Sequence, residues 1–376
     1  EYDPAAGYRA NGMTGRATVE LYARDLPPQR SWLICAGLEQ ALRSLEALRF
    51  SPDTLRHLRR HPALARVGRD FWRRLEAFRF TGDVWAMPEG TLAFPREPIL
   101  CVRAPILEAQ LVETLLLATL SAQMTVAAKA ARIVNAARMH PVLDFGSRRA
   151  HGPQAGLLAA RAAWIAGCAG TSNVLAGQWL GIPTAGTQAH SWVMAFPTEK
   201  EAFRKYLRLF PESTTLLIDT YDTLDAARLV ARIGPAVRAV RIDSGDLPRL
   251  SRRVRDILDH AGLESVRIVV SGDLNEYRIA DILRRHSPVD AFGVGTDMVL
   301  SGDAPALGLV YKLVEIEEHG RMRPVAKRSP GKGTLPGLKQ VRRYEDYMGK
   351  FRRDCLCLHD EAAPGEPLLH PVMRRG

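Results

Sequence analysis

The sequence has few cysteines and no long apolar run, and each shortage excludes a class of protein. Only five of the 376 residues are cysteines, and this odd, scattered set argues against a disulfide framework and for a reducing compartment. No stretch approaches the roughly 18 consecutive apolar residues of a membrane span. The N-terminus lacks a charged stretch followed by an apolar one, which predicts no signal peptide. Together these absences predict a cytoplasmic protein.

Lysine is scarce while arginine is abundant, with 8 lysines against 44 arginines and a net charge of +11. The basic residues are scattered along the chain. They are not interleaved with aromatic residues, as they would be in a platform that stacks nucleic-acid bases. The charge therefore favours a small anionic ligand, and it supports a nucleic-acid partner less strongly.

Three common ligand-binding motifs are incomplete. Cys355 and Cys357 form a C-x-C pair without a second cysteine pair or a paired histidine motif, so we predict no metal site. Lys332 is followed by Gly rather than by Ser or Thr, so the surrounding basic loop is not a P-loop. The Gly-Val-Gly at 293–295 fails the dinucleotide-binding fingerprint because Met298 stands where a glycine is needed.

Short strands and one long helical stretch occupy the first third of the chain. The apolar–polar alternation predicts a strand at 16–24, and prolines and glycines divide 82–103 into short strands. Residues 106–138 are rich in Ala and Leu and lack Gly and Pro, which predicts one long helix or two.

After Pro141 the pattern changes to apolar strands that alternate with amphipathic helices. Strands are predicted at 216–218, 239–242, 266–270 and 291–294, and helices at 223–233, 247–260 and 274–286. This alternation predicts βαβ units and a (β/α) barrel, whose chemistry lies at the carboxyl ends of the strands. Acids, glycines and a threonine follow these strands: Asp219, Asp243, Gly272, Asp273, Gly295 and Thr296.

The residue types at these positions suit one kind of reaction. Arg148 and Arg149 lie beside a glycine turn, and arginine holds phosphate or carboxylate with paired hydrogen bonds. Carboxylates at strand ends could hold Mg²⁺ or ribose hydroxyls, and glycine-rich turns can present N–H groups to a phosphate. Negative charge would stabilise a transition state with oxocarbenium character. Together with His190, these features favour an enzyme that transfers a phosphorylated sugar.

Several ordered blocks of sequence carry a resemblance to one enzyme family. The blocks are 20–24, 36–39, 88–90, 144–152, 170–177, 186–191, 219–222, 241–246 and 334–337. In these blocks, and over nearly its whole length, the chain resembles nicotinate phosphoribosyltransferase.

The resemblance implies an irregular TIM-like (β/α) barrel of the type II phosphoribosyltransferase class and a smaller α/β sandwich formed by both chain ends. We therefore expect the sandwich at 1–103 and 313–376, and a helical lead-in with the barrel at 104–312. The implied enzyme is an ATP-dependent, C–N bond-forming ligase that joins nicotinate to the phosphoribosyl group of phosphoribosyl pyrophosphate, giving nicotinate mononucleotide and pyrophosphate. The family further implies Mg²⁺, a homodimer with composite active sites, and neither nucleic-acid nor membrane partners.

The family also implies roles for individual residues. His190 matches the histidine that ATP phosphorylates, and Asp219 and Asp243 match catalytic acids that face the sugar. The implied substrate-binding residues are Phe145 and Arg148 at the pyridine, Arg241 near the base, Gly272, Gly295 and Thr296 at the 5′-phosphate, and also Asn173, Thr187 and Asp273.

Two positions bear on the choice of base. Asn173 stands where nicotinamide-using relatives place an acid, and a neutral residue there avoids repelling the carboxylate of nicotinate. The family's base-stacking tyrosine would fall just before Glu1, and Tyr2 is out of register with it.

Three other functions are consistent with parts of the sequence. The first is a relative that uses nicotinamide or quinolinate, although quinolinate enzymes are shorter and lack the histidine block at 186–191. The second is a non-catalytic phosphoribosyl-binding scaffold. The third is a nucleic-acid-binding protein, for which a steep salt dependence of affinity would be diagnostic.

Overall fold

The computed structural model describes all 376 residues, Glu1–Gly376. The α-helices are α1 (Tyr2–Ala10), α2 (Leu38–Ala47), α3 (Pro52–Arg59), α4 (Arg69–Glu76), α5 (Ile106–Leu111), α6 (Glu113–Ala137), α7 (Pro153–Ile165), α8 (Val174–Leu180), α9 (His190–Met194), α10 (Glu199–Leu209), α11 (Thr223–Ile233), α12 (Leu247–Asp259), α13 (Glu276–Arg284) and α14 (Thr296–Leu300).

The strands are β1 (Arg16–Ala23), β2 (Leu33–Ile34), β3 (Asp83–Ala86), β4 (Leu92–Ala93), β5 (Leu100–Pro105), β6 (Val142–Asp144), β7 (Gly170–Thr171), β8 (Thr215–Leu217), β9 (Ala239–Ile242), β10 (Arg267–Val270), β11 (Ala291–Val294), β12 (Leu309–Glu318), β13 (Arg321–Pro324), β14 (Lys339–Glu345), β15 (Phe351–Leu358), β16 (Glu366–Pro367) and β17 (His370–Met373).

One compact unit comprises Glu1–Thr125 and Ala306–Gly376. Its main sheet is antiparallel, in the order β13-β12-β1-β5-β3-β17, so both ends of the chain contribute strands to it. Seven of the eight residues of β1 are buried, as expected for a strand that neighbours cover on both sides. This arrangement confirms the sandwich that the resemblance implied. The boundaries expected from the sequence, 103/104 and 312/313, stay a prediction.

The second unit, Val126–Pro305, is built on a curled parallel sheet in the order β7-β6-β11-β10-β9-β8. Its strands are short and mostly apolar, as expected for a parallel sheet whose two faces are both covered. Val270 at the end of β10 pairs with Ile242 of β9 and with Phe292 of β11. The carboxyl ends of these strands therefore meet at one edge, and the irregular α/β barrel is confirmed.

The helices of this unit begin where the sequence supplies a capping side chain. Asp222, Asp246 and Asn275 accept hydrogen bonds from backbone N–H groups in the first turns of α11, α12 and α13. The strands at 239–242 and 291–294 and the helix at 223–233 have the bounds that the sequence predicted. The helical stretch at 106–138 is two helices, which break at Val112.

Helix α6 meets the length and composition criteria for a membrane span, with a mean hydropathy of 1.2 in its most apolar window. Within the structure, 56% of that window is buried, which is typical of a core helix in a folded domain. In the second unit its buried residues include Ala130, Ile133 and Ala137, which join the core beside the parallel sheet.

Candidate functional site

A set of polar side chains meets at the carboxyl ends of β8, β9 and β10. We call Thr187, His190, Asp219, Arg241, Asp243 and Ser271 the aspartate cluster. Parallel strands bring these residues together although they are far apart in the chain. The loop with Thr187 and His190 is held beside β8 by Gln188, whose buried side-chain Oε1 accepts a hydrogen bond from Leu217 N at 3.1 Å.

Arg241 is the centre of the aspartate cluster. Its Nη2 donates to Asp243 Oδ1 at 2.6 Å, its Nη1 to Thr187 Oγ1 at 2.7 Å and its Nε to Ser271 Oγ at 2.8 Å. The guanidinium also lies over the ring of Phe145, with 5.5 Å between Cζ and the ring centroid. Each nitrogen of the guanidinium is thus engaged, which fixes the position of the neighbouring groups.

Asp243 carries a negative charge that the cluster stabilises. Burial alone would raise the pKa of this carboxyl, but hydrogen bonds from Ser271 and Arg241 and the positive charge of Arg241 outweigh it. The pKa therefore lies below its ordinary value. Both hydrogen bonds go to Oδ1, so Oδ2 remains available to a ligand.

His190 opens α9 and contacts Asp219, with 3.3 Å between Nε2 and Oδ1. Asp219 is almost fully buried, and its Oδ2 accepts from Asp243 N at 2.9 Å and from Ser244 Oγ at 2.6 Å. If Nε2 carries the proton toward Asp219, Nδ1 keeps its lone pair. The imidazole is 42% exposed, so a substrate can reach it. The pair can therefore present a nucleophilic ring nitrogen in a fixed orientation.

A second region lies after β6, where Ser147–Arg149 form a single 3₁₀ turn that we call the arginine turn. Arg148 and Arg149 are exposed, and their side chains make no hydrogen bond or ion pair within the chain. Their backbone is fixed by Asp144, whose Oδ1 accepts from Gly146 N at 2.8 Å and whose Oδ2 accepts from Thr171 Oγ1 at 2.7 Å. Burial raises the pKa of Asp144 despite these hydrogen bonds.

Asn173 connects this turn to the next helix. Its side chain caps α8, because Oδ1 accepts from Ala176 N at 3.0 Å, while Nδ2 donates to Ser147 Oγ at 3.0 Å. Asn173 is therefore next to the arginine turn and has a local structural function, while its role near the pyridine stays a prediction.

The glycines at the strand ends permit close packing. Gly272 has a φ of +93°, and a Cβ there would lie 1.9 Å from Asp243 O. At Gly293, a Cβ would lie 2.5 Å from the ring of Phe145. Larger residues at either position would push the turns apart. Asp273, Gly295 and Thr296 follow these strands at the same edge of the sheet, and Asp273 and Thr296 are exposed.

The structure thus brings together most residues selected from the sequence, while their individual roles stay predictions. Contacts join Thr187, His190, Asp219, Arg241 and Asp243, and the Arg241 guanidinium covers Phe145. Arg148 lies three residues after Phe145 but has no contact with the aspartate cluster. The sequence patterns did not indicate Asp144, Ser147, Ser244 or Ser271 as site residues. Each adjoins a selected residue in the sequence, and its hydroxyl or carboxyl group is the feature that could have identified it.

The chain has extensive similarity to characterised proteins. A sequence model for the nicotinate phosphoribosyltransferase (NAPRTase) N-terminal domain matches residues 2–121, and one for the NAPRTase family matches residues 141–334. The chain is 50% identical to nicotinate phosphoribosyltransferase pncB2 of Mycobacterium tuberculosis, with 100% of this chain and 81% of that protein covered.

A second relative and a solved structure agree with these matches. The chain is 40% identical to the nicotinate phosphoribosyltransferase of Bacillus subtilis, with 95% of this chain and 75% of that protein covered. The crystal structure of human nicotinic acid phosphoribosyltransferase has a TM-score of 0.85 at 30% identity, with 100% of this chain and 88% of that one covered.

Proposed function

Since the chain belongs to the nicotinate phosphoribosyltransferase family, we propose that it transfers the phosphoribosyl group of phosphoribosyl pyrophosphate to nicotinate. The products are nicotinate mononucleotide and pyrophosphate, and the reaction serves NAD salvage. The observation that carries the proposal is a prearranged aspartate cluster together with an exposed arginine turn, linked by Phe145, which lies just before the turn in the chain and is in contact with Arg241.

The aspartate cluster provides electrostatic stabilisation for the transfer. Breaking the bond between ribose C1 and pyrophosphate builds positive charge on the sugar ring. Asp219 and Asp243 are anionic groups held in place before the substrate arrives, so stabilising this charge requires little reorganisation. Asp243 Oδ2 is the oxygen best placed to meet a ribose hydroxyl, because Oδ1 is occupied by Arg241 and Ser271.

The arginine turn provides recognition of the base. Arg148 has a planar guanidinium with no partner in the chain, and nicotinate has a planar carboxylate that such a group binds with two parallel hydrogen bonds. Phe145 offers an aromatic wall for the pyridine ring. The neutral side chain of Asn173, hydrogen-bonded to Ser147, leaves the positive charge of the turn uncompensated.

We assign the use of ATP to His190, in an ATP-dependent, C–N bond-forming reaction. Transfer of the γ-phosphoryl group would form a bond between phosphorus and the ring Nδ1, and would break the bond to the bridging oxygen of ADP. The contact of Nε2 with Asp219 supports this assignment, since it orients the ring and stabilises its positive charge. Phosphorylation would assist the transfer without being part of the glycosyl chemistry.

Mg²⁺ fits the aspartate cluster only together with a substrate. The structure contains no group of three or more His, Cys, Asp or Glu side chains arranged to hold a metal ion. Magnesium in phosphate enzymes commonly has one or two protein carboxylates, with phosphate oxygens and water as the other ligands. Asp243 Oδ2 would then be the protein ligand in place of a ribose hydroxyl, and the ion would neutralise charge on the leaving pyrophosphate.

We further infer a cytoplasmic homodimer with composite active sites. Helix α8, which follows Asn173, exposes Val174, Leu175 and Trp179, whose exposed fractions are 75%, 39% and 65%. An apolar surface of this kind beside a polar site supports contact with a second subunit. All five cysteines are unpaired, which is in keeping with a reducing compartment.

Release of pyrophosphate tests the proposed function. The purified chain is incubated with phosphoribosyl pyrophosphate, Mg²⁺ and nicotinate, with and without ATP, and pyrophosphate and nucleotide are measured together. We expect equal amounts of both products and faster turnover with ATP. No release of pyrophosphate would instead favour the non-catalytic scaffold, and release that does not depend on nicotinate would contradict transfer to this base.

A further inference from the structure

Lys129 is a buried lysine behind the strand-end turns, outside the site described above. It lies on α6 within the second unit, and its side chain is only 1% exposed. Its Nζ contacts Glu276 Oε2 at 2.7 Å, Asp297 Oδ2 at 2.7 Å and Asp303 Oδ1 at 2.9 Å. An ammonium group has three N–H donors, so each can be directed at one carboxylate. We call these four residues the lysine cluster.

Two of these carboxylates belong to the helices that follow the two turns that the family resemblance assigns to the 5′-phosphate. Glu276 is the first residue of α13, just after Gly272 and Asp273. Asp297 is the second residue of α14, just after Gly295 and Thr296. The buried ammonium group of Lys129 therefore links the helices that follow the two turns. The position of one turn depends on that of the other because both helices contact this group.

The geometry around each carboxylate favours a positioning role over a general packing role. Beyond α14, the chain passes so close to Asp297 that a Cβ on Gly302 would lie 2.5 Å from Asp297 Oδ1. At the other turn, Arg278 Nη1 donates to Asp273 O at 2.9 Å, and Asn275 Oδ1 caps α13. Glu276 is also held by Arg132, whose Nε lies 2.9 Å from Oε1. Each turn is thus fixed locally, and Lys129 joins the two.

We propose that Lys129 is a positioning residue for phosphoribosyl pyrophosphate, acting by fixing the spacing between the turn after β10 and the turn after β11. This inference rests on the proposed function, because it assigns the 5′-phosphate of the substrate to these two turns. Lys129 does not touch the substrate. Its loss weakens binding of the phosphorylated sugar and leaves binding of nicotinate unchanged.

A matched pair of variants tests the inference. Asp297→Asn and Asp303→Asn each remove one carboxylate charge from Lys129, but only Asp297 adjoins a phosphate-binding turn. We expect Asp297→Asn to raise the KM for phosphoribosyl pyrophosphate about tenfold, the usual effect of one lost charge-assisted hydrogen bond, with little change in the KM for nicotinate. Asp303 is buried to a similar extent but adjoins neither turn, so Asp303→Asn should change both constants by less than about twofold. Equal effects of the two variants would overturn the proposal.

Lys129→Met gives the larger perturbation, and calorimetric binding of ribose 5-phosphate gives a readout that needs no catalysis. We expect the wild-type chain to bind ribose 5-phosphate and Lys129→Met to bind it at least about tenfold more weakly. Unchanged binding by Lys129→Met would refute the positioning role. If the variant does not fold, the comparison of Asp297→Asn with Asp303→Asn decides. If wild type binds the sugar phosphate but transfers nothing to nicotinate, the proposed function fails while the positioning role stands.

Discussion

The aspartate cluster and the arginine turn belong to the same unit, yet they satisfy their charges in opposite ways. In the cluster, Arg241 directs all three of its nitrogens at protein acceptors, and Asp219 is almost fully buried. In the turn, Arg148 and Arg149 are exposed and have no partner in the chain. The polar groups of the aspartate cluster are paired with one another before any ligand arrives, whereas the guanidinium donors of the arginine turn can pair only with a ligand.

This difference corresponds to two tasks. Stabilising a transition state requires charges that are already oriented, because reorganisation would add to the barrier. Selecting an anionic base requires donors that are not already occupied by the protein. We therefore expect variants of the aspartate cluster to lower kcat and variants of the arginine turn to raise the KM for nicotinate.

The largest effect is expected at Arg241. Arg241→Ala removes a mostly buried cation and leaves Asp243 without its partner, which typically costs about 3–5 kcal/mol. We expect kcat/KM to fall by about 10³-fold, as measured by pyrophosphate release. Arg241→Lys keeps the charge but loses the planar, forked set of donors, so its kcat/KM should lie between those of wild type and Arg241→Ala. A small loss in Arg241→Ala would mean that the cluster does not stabilise the transition state.

His190→Ala tests whether the exposed histidine couples ATP to the reaction. We expect the variant to lose stimulation by ATP and any acid-labile phosphate, while slow ATP-independent transfer remains. His260→Ala is the control, because His260 is an exposed histidine on the same unit, at the end of α12. Normal ATP turnover by His190→Ala, with the acid-labile phosphate still present, would refute the assignment.

Arg148→Lys tests base recognition in the arginine turn. Lysine keeps the charge but cannot make two parallel hydrogen bonds to a carboxylate, so we expect the KM for nicotinate to rise about tenfold. The matched control is Arg149→Lys, which makes the same change at the neighbouring exposed position and should have little effect. Similar kinetics for both variants would mean that Arg148 is only a solvated surface residue.

Asn173→Asp tests the discrimination between nicotinate and nicotinamide. Aspartate can still cap α8, so the helix should remain intact while a negative charge enters beside Ser147. We expect kcat/KM for nicotinate to fall relative to nicotinamide by about fivefold, or roughly 1 kcal/mol. If the ratio of the two values does not change, Asn173 acts only as a cap.

The smallest effect concerns acid stability. The pKa of Asp243 is held below its ordinary value, so its charged form stabilises the fold above about pH 4, and this contribution is lost as the pH falls through the lowered pKa. Asp243→Asn should therefore show a weaker loss of stability than wild type as the pH falls below about 4. If the free energy of unfolding falls equally with pH in the two proteins, the carboxyl of Asp243 is not specifically stabilised.

The fold could be predicted from the sequence more completely than the contacts within the site. Apolar strand segments that alternate with amphipathic helical segments locate the elements of the parallel sheet, because those signals are local. The same strands place Asp219, Arg241 and Asp243 at one edge, so their proximity could be predicted. The contact of Arg241 with Thr187 could not, because it joins an irregular loop to a strand end and depends on the packing of Gln188 against β8.

The lysine cluster could not be predicted from the sequence. Lys129 lies in an Ala-rich helical stretch, where a lone lysine usually faces solvent. Only the tertiary structure shows that α6 directs it at acids from three separate positions in the chain. The antiparallel strands β12 and β13 of the other unit were also missed. β12 pairs with β1, which joins the two ends of the chain, and with β13 in a local hairpin.

The most direct test of the whole account is product analysis with three bases in parallel. The wild-type chain is supplied with phosphoribosyl pyrophosphate, ATP and Mg²⁺, together with nicotinate, nicotinamide or quinolinate, and the nucleotide products are identified by mass. The account predicts nicotinate mononucleotide from nicotinate, at a rate well above that for either other base. A preference for nicotinamide, nucleotide formation with release of CO₂ from quinolinate, or no nucleotide from any base would contradict it.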